Sequence, residues 1–221
     1  MTEAEWLASE DPALMGEAVL KKPRATACVL RLHMAAFWDW QSHRLETAEA
    51  REKLKKRAAL VAEWAETGKP TGEATDRYTT CVFFNRSASD GFLSTVRAPA
   101  GWQKKKGGPA KIRAVELLRE IFGNPFVPTK KRKGEPRRGW MFDKSWRTDT
   151  ALTLAKQMYE AREFSAMPIL ADALQEAGCD NEDILSHCRG PSAPAKRSRK
   201  KNVPPAHVRG CWVLDLVLGK T

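Results

Sequence analysis

The chain has 221 residues, a net charge of +11, an apolar content of 42% and five cysteines. This length can bury a substantial core without disulfide bonds, and an odd number of irregularly spaced cysteines favours reduced thiols over a secreted disulfide scaffold. The first ten residues are acidic and do not resemble a signal peptide, and no stretch approaches the ~20 apolar residues of a membrane span. We therefore expect a cytoplasmic protein that does not enter a membrane.

The positive charge is concentrated in three clusters. Residues 104–106, 130–138 and 196–201 carry +3, +5 and +5, which together exceed the net charge of the whole chain. The remaining residues are therefore slightly negative, and we expect the positive charge to be displayed on loops of a nearly neutral folded body.

The first third of the chain predicts four helices. The segment Glu3–Leu7 predicts a short helix, and Asp11 with Pro12 has the pattern of a cap and a first helical position for a second helix that runs to about Lys21. Apolar residues at helical spacing then predict a long amphipathic helix from Arg24 to about Trp40 and a more polar helix over Thr47–Glu66.

Residues 78–96 allow two structures. The segment Tyr78–Phe84 is rich in β-forming residues, and Asp90-Gly91 precedes Phe92–Val96, a pattern typical of a β-hairpin. An isolated two-stranded hairpin is only marginally stable, so we favour helix or irregular structure here and keep a small β-hairpin at 78–96 as the alternative.

The remaining helices lie in the C-terminal half. The segment Ala110–Phe122 predicts a helix that stops at Gly123-Asn124-Pro125. Later, Asp149 is the expected cap of a helix to about Arg162, and Pro168 and Gly178 delimit the next helix. Asp180 is the expected cap of a short helix that ends at Gly190-Pro191, and a strongly apolar last helix, predicted from about Val208 to Leu218, should be buried.

These elements predict a mainly α protein, a single-domain helical bundle with long basic loops. We expect an N-terminal helical part over 1–72, a variable segment with a basic loop over 73–110, and a C-terminal helical core over 111–221. Basic insertions at 129–139 and 192–206 contain too few apolar residues to order themselves.

Several strings resemble a family of proteins without an assigned function that is abundant in planctomycete bacteria. They are the start MTEAEWL, the middle IFGNPF, and the C-terminal PILADAL, AGC, DIL, HCRGP and HVRGCW, which lie between Pro168 and Lys220. The chain differs from this family in having longer and more basic links after the middle motif and before the last one. The resemblance implies no particular reaction, ligand or catalytic residue.

One group of residues has the pattern of a metal site. His207, Cys211 and Asp215 are spaced four apart and would share one face of the last predicted helix, and Cys188 could approach them. Cysteine and histidine from two helices can bind zinc tetrahedrally, and either Cys179 or His187 could complete the ligand set. The predicted set is therefore Cys188, His207 and Cys211, and the alternative is that both cysteines are small buried apolar residues.

Asp215 is set among apolar neighbours, where a carboxylate is costly to bury unless it is paired. We expect a structural ion-pair network that contains Asp172, Arg189, Arg209 and Asp215. Such a network would fix helix packing without any catalysis.

No motif for nucleophilic catalysis or phosphate binding is present, so the sequence favours a non-catalytic role, with no cofactor other than zinc. The basic clusters can neutralise phosphates, and two nearby tryptophans could stack on unpaired bases. The predicted nucleic-acid-binding residues are Lys104, Lys105, Lys106, Lys130, Lys131, Arg132, Lys133, Arg137, Arg138, Lys196, Arg197, Arg199, Lys200, Lys201, Trp102 and Trp140.

The function predicted from the sequence is that of a helical binding protein that engages RNA, DNA or another polyanion without sequence specificity. One alternative is a protein-protein interaction or structural module with incidental basic loops. The other is a zinc-stabilised helical domain.

Overall fold

The computed structural model describes residues 1–69, 88–97, 108–127, 137–190 and 207–220. These residues form ten α-helices and one short 3₁₀ helix, and the described ranges contain no β-strand. The predicted mainly α class is confirmed. By their contacts, the residues divide into two compact units, Met1–Phe122 and Gly123–Thr221.

The first unit contains six helices. In chain order they are α1 (Glu3–Ala8), α2 (Pro12–Leu20), α3 (Ala27–Ser42), α4 (Ala48–Thr67), α5 (Ala88–Val96) and α6 (Pro109–Phe122). Helix α3 is the centre of this unit, because α4, α5 and α6 all pack against it.

Local capping explains where the first four helices begin. The side chains of Thr2, Asp11, Thr26 and Thr47 each accept a hydrogen bond from a backbone N–H of the first helical turn. Thr2 and Glu5 form a complete capping box, in which each side chain bonds the other residue's backbone. The four predicted helices lie within a few residues of the observed ones.

The hairpin alternative at 78–96 is wrong for its second half, because Ala88–Val96 is the helix α5. Gly91, which resembles a turn residue in the sequence, lies where an added Cβ would come within 2.8 Å of Met34 Cε. It therefore permits close packing of α5 on α3, which the sequence could not indicate. The proposed first strand, Tyr78–Phe84, lies outside the described residues.

The second unit contains a 3₁₀ helix and four α-helices. They are the 3₁₀ helix Lys144–Trp146, α7 (Asp149–Ala161), α8 (Met167–Glu176), α9 (Glu182–Arg189) and α10 (Trp212–Leu218). Their buried side chains form one apolar cluster, to which every helix of this unit contributes. Helix α10 is buried from Trp212 to Val217, as its apolar sequence predicted.

Three predicted helix starts need correction. Thr148, and not Asp149, caps α7, so that Asp149 occupies the first turn. Asn181, and not Asp180, caps α9. The last helix begins at Trp212 and not near Val208, because Gly210 has φ +84°, a left-handed conformation that cannot continue an α-helix.

Across the described ranges, no helix is both long enough and apolar enough to cross a membrane.

Candidate metal centre

A tight turn immediately before α10 presents two of the predicted ligands. The backbone N–H of Cys211 donates to the carbonyl of Val208 at 3.0 Å, and Gly210 supplies the left-handed residue of this turn. The turn is attached to α7, since Arg209 Nε donates to the Tyr159 carbonyl at 3.0 Å and its guanidinium lies over the Tyr159 ring. His207 and Cys211 thus belong to a fixed turn. The four-residue spacing had suggested that they share one face of the last helix, and they do not.

Helix α9 brings a third side chain to this turn. Ile184, Leu185 and Cys188 bury one face of α9 in the core of the second unit, and His187 lies in its last turn, only partly exposed. The capping amide of Asn181 at the other end fixes where this helix begins. The position of His187 is therefore set by a short helix that is capped at one end and packed along its length.

The three side chains converge. His187, His207 and Cys211 each offer a ligand atom, and these atoms all lie within 4.8 Å of one another. His187 Nε2 is 3.2 Å from Cys211 Sγ, and the two imidazole rings are in an edge-to-face arrangement with centroids 5.1 Å apart. Cys211 is completely buried and His207 is 9% exposed. This Cys-His-His cluster can hold a metal ion.

One distance within the cluster is close to that between two ligands of a tetrahedral zinc ion. Zinc bonds of about 2.0 Å to nitrogen and about 2.3 Å to sulfur, at the tetrahedral angle, place neighbouring ligand atoms about 3.3 to 3.5 Å apart. The observed 3.2 Å between His187 Nε2 and Cys211 Sγ is close to this range. The other separations between ligand atoms of the cluster are at most 4.8 Å.

Trp212 adds a contact that sequence reasoning missed. Its indole Nε1–H donates to His187 Nδ1 at 3.2 Å, and the two rings meet at an interplanar angle of 61°. An indole nitrogen can only donate, so His187 Nδ1 must be the unprotonated nitrogen of the neutral ring. The ring proton then resides on Nε2, where it faces the sulfur of Cys211.

The structure changes one member of the predicted metal set. His207 and Cys211 belong to the cluster, whereas Cys188 does not belong to it within the part of the chain that the structure describes, and His187 takes its place. Cys188 is 1% exposed and forms part of the apolar core. Cys179 is also buried outside the cluster, and burial raises the pKa of its thiol.

The residues of the predicted ion-pair network occupy different environments. Arg189 forms an ion pair with Asp172 at 3.2 Å, but both side chains are largely exposed. Asp215 is 2% exposed, and the contacts of Arg209 described above are with Tyr159. The exposed Arg189–Asp172 pair contributes little to stability, since water screens it.

Three predicted nucleic-acid-binding residues are described, and all three have partners in the second unit. Arg137 donates to Asp180 and Asp143 at 3.0 Å, and Arg138 lies 3.8 Å from the Asp183 carboxylate. Trp140 packs against Trp212 with ring centroids 5.3 Å apart. Carboxylates therefore compensate the charge of both arginines, and the ring of Trp140 contacts another aromatic side chain of the same unit.

The other predicted nucleic-acid-binding residues lie outside the described ranges. They are Trp102, Lys104, Lys105, Lys106, Lys130, Lys131, Arg132, Lys133, Lys196, Arg197, Arg199, Lys200 and Lys201.

Comparisons of the chain with protein-family models, with curated proteins and with solved structures gave no match.

Proposed function

We propose that this protein is a metal-stabilised helical module whose second unit binds one zinc ion through His187, His207 and Cys211. The observation that carries this proposal is the convergence of the three ligand atoms within 4.8 Å. Two imidazoles and one thiolate form a donor set typical of zinc, and a fourth position remains for water or another donor.

The position of the ligands favours a structural role. His187 belongs to α9, while His207 and Cys211 belong to the turn before α10, so that one ion would tie together segments about 20 residues apart in the sequence. An ion bound only by the folded state stabilises that state in proportion to its affinity and concentration. We therefore expect zinc to stabilise the packing of α9 against α10.

Metal content is the first measurement. The protein is purified under reducing conditions without chelator, and its zinc is quantified by plasma mass spectrometry. About one zinc ion per chain is expected. Exchange with Co²⁺ should give the sulfur-to-cobalt charge-transfer absorption and the intense visible bands of tetrahedral cobalt.

A matched pair of cysteine variants tests the ligand assignment. Cys211→Ala should abolish stoichiometric binding and remove the increase in melting temperature on zinc addition. Cys188→Ala changes a neighbouring buried cysteine of the same unit and should retain both properties. Loss of metal from Cys188→Ala alone, or a wild-type protein that binds neither ion, would contradict the proposal.

Binding of RNA or DNA remains a proposal supported by the charge clusters in the sequence. The residues that would carry it lie mostly outside the described ranges. Its test is the dependence of the affinity for RNA on salt and on the basic residues of 104–106 and 196–201.

A further inference from the structure

The contact between Trp212 and His187 has the wrong polarity for a metal ligand. A histidine that ligates through one ring nitrogen normally donates the N–H of its other nitrogen to a carboxylate, a carbonyl or water. Here the other nitrogen, Nδ1, accepts a hydrogen bond from the indole of Trp212 at 3.2 Å. The proton is thereby held on Nε2, the nitrogen that is 3.2 Å from Cys211 Sγ.

Metal coordination by His187 Nε2 requires the opposite tautomer. If the ring proton moves to Nδ1, this N–H faces the indole N–H of Trp212, and two donors oppose each other. The hydrogen bond is lost and a repulsive contact replaces it, unless Trp212 turns away.

Trp212 has little room to turn away. It is 4% exposed and packs against Trp140. On another side, an added Cβ at Gly123 would lie 3.1 Å from the indole ring, so the backbone of Gly123 already lies close to it. Packing on both sides fixes the indole N–H in the direction of His187.

We propose that Trp212 is a positioning residue that holds His187 in the tautomer unsuited to coordination and so sets the metal affinity of the centre below its maximum. The inference rests on the proposed metal function. It predicts that removal of one hydrogen-bond donor beside the site tightens metal binding, whereas loss of a purely structural neighbour would weaken it.

The test replaces only the donor. Trp212 is substituted with 3-benzothienylalanine, which has sulfur in place of the indole N–H and keeps the size and shape of the ring. Co²⁺ is then titrated into reduced, metal-free full-length protein, and the cobalt absorption is followed. One lost hydrogen bond and one relieved repulsion should tighten Co²⁺ binding about tenfold. The same replacement at Trp140 keeps the Trp212–His187 contact and should leave the affinity unchanged.

The outcomes separate the two proposals. If the wild-type protein binds Co²⁺ and the Trp212 analogue binds it equally or more weakly, the role of Trp212 is overturned while the metal centre stands. If only the analogue binds, the effect of Trp212 on the centre is supported, but metal binding by the wild-type protein, and with it the proposed function, fails. If neither protein binds, both proposals fail.

A second measurement reads the tautomer directly. Long-range ¹H–¹⁵N correlation spectra of the metal-free protein should show His187 protonated at Nε2, with the indole proton of Trp212 shifted by its hydrogen bond. Incorporation of the analogue should raise the proportion of the Nδ1-protonated form. A wild-type spectrum with the proton on Nδ1 would overturn the inference, whatever the affinities.

Discussion

His33 is a completely buried polar side chain in the middle of α3. Its Nδ1 lies 3.5 Å from Thr95 Oγ1, and its ring is edge-to-face with Phe92. Burial lowers the pKa of His33 from 6.5 to about 3, and the nearby positive charge of Arg113 acts in the same direction, while the Ala114 backbone opposes it. The folded state therefore requires a neutral His33.

This pKa shift predicts a loss of stability in acid. Between pH 6.5 and about 3 the unfolded chain binds a proton at His33 that the folded chain does not, so the free energy of unfolding falls as the pH falls. The contribution of His33 to the slope should approach about 1.4 kcal/mol per pH unit. It should disappear in His33→Leu, as measured by urea unfolding of both proteins between about pH 7 and 5.

His43 provides the matched control, because it ends the same helix with its side chain 59% exposed. His43→Leu should retain the wild-type dependence of stability on pH. An identical pH dependence in His33→Leu and wild type would show that His33 accepts a proton without unfolding the first unit.

Single residues of the site were only partly predictable. The four-residue spacing of His207 and Cys211 indicated that they meet, and they do, although a turn and not a helix face unites them. The choice between His187 and Cys188 could not be made from the sequence, since adjacent helical residues point about 100° apart and the orientation of α9 is set by its packing. The donor from Trp212 has no sequence signal, because it depends on how α10 packs beside α9.

At the scale of elements, the start of α9 depends on one buried amide. Asn181 Oδ1 accepts the backbone N–H of Asp183, and its Nδ2 donates to the carbonyls of Gly139 and Met141. Asn181 is completely buried, so its loss would remove a helix cap and leave two buried carbonyls without their donor. Asn181→Ala should therefore lower the free energy of unfolding by about 3 kcal/mol, measured in urea.

Two further variants make this prediction specific. Asn181→Asp keeps the cap oxygen but turns a carboxylate towards the two carbonyls, so it should also destabilise the protein. Asp172→Asn disrupts an exposed ion pair in the same unit and should cost less than about 1 kcal/mol. Wild-type stability of Asn181→Asp would mean that the two carbonyl contacts contribute nothing.

Elements were predictable where the signal is local. Thr2, Asp11 and Thr47 cap helices close to where the sequence places them, because a cap needs only a short polar side chain and the residues that follow it. Predictions from the sequence were wrong where tertiary packing determines the local structure. Asp90-Gly91 has turn chemistry, yet Gly91 is used for close contact with Met34 inside a helix, a role that depends on residues more than 50 positions away.

At the scale of the whole molecule, the charge of +11 has to be considered by location. The described second unit balances Arg137 and Arg138 with aspartates, whereas the clusters at 104–106 and 196–201 contain no acidic residue. If the protein binds a polyanion, these two clusters should contribute most of the affinity. A basic side chain that no carboxylate balances can neutralise a phosphate and release its counterion.

We expect the protein to bind single-stranded RNA with an affinity that depends on salt and on the basic residues of these two clusters. Fluorescence anisotropy with a short RNA of mixed sequence should show weaker binding as salt rises. Replacing the five basic residues of 196–201 with glutamine should reduce the slope of log affinity against log salt by up to about 3.5. A matched pair then separates location from net charge. Glutamine at Lys104, Lys105 and Lys106 removes three charges from a cluster without acidic residues. Glutamine at Lys53, Lys55 and Lys56 removes three charges from α4, where Glu49 and Glu52 lie one helical turn before Lys53 and Lys56, and Glu52 is 3.9 Å from Lys56. The first variant should weaken binding more strongly than the second, because Glu49 and Glu52 already balance part of the positive charge of α4, whereas 104–106 contains no carboxylate. Equal losses would make net charge the cause, and an RNA affinity unchanged by both cluster variants would exclude 104–106 and 196–201 as a nucleic-acid interface.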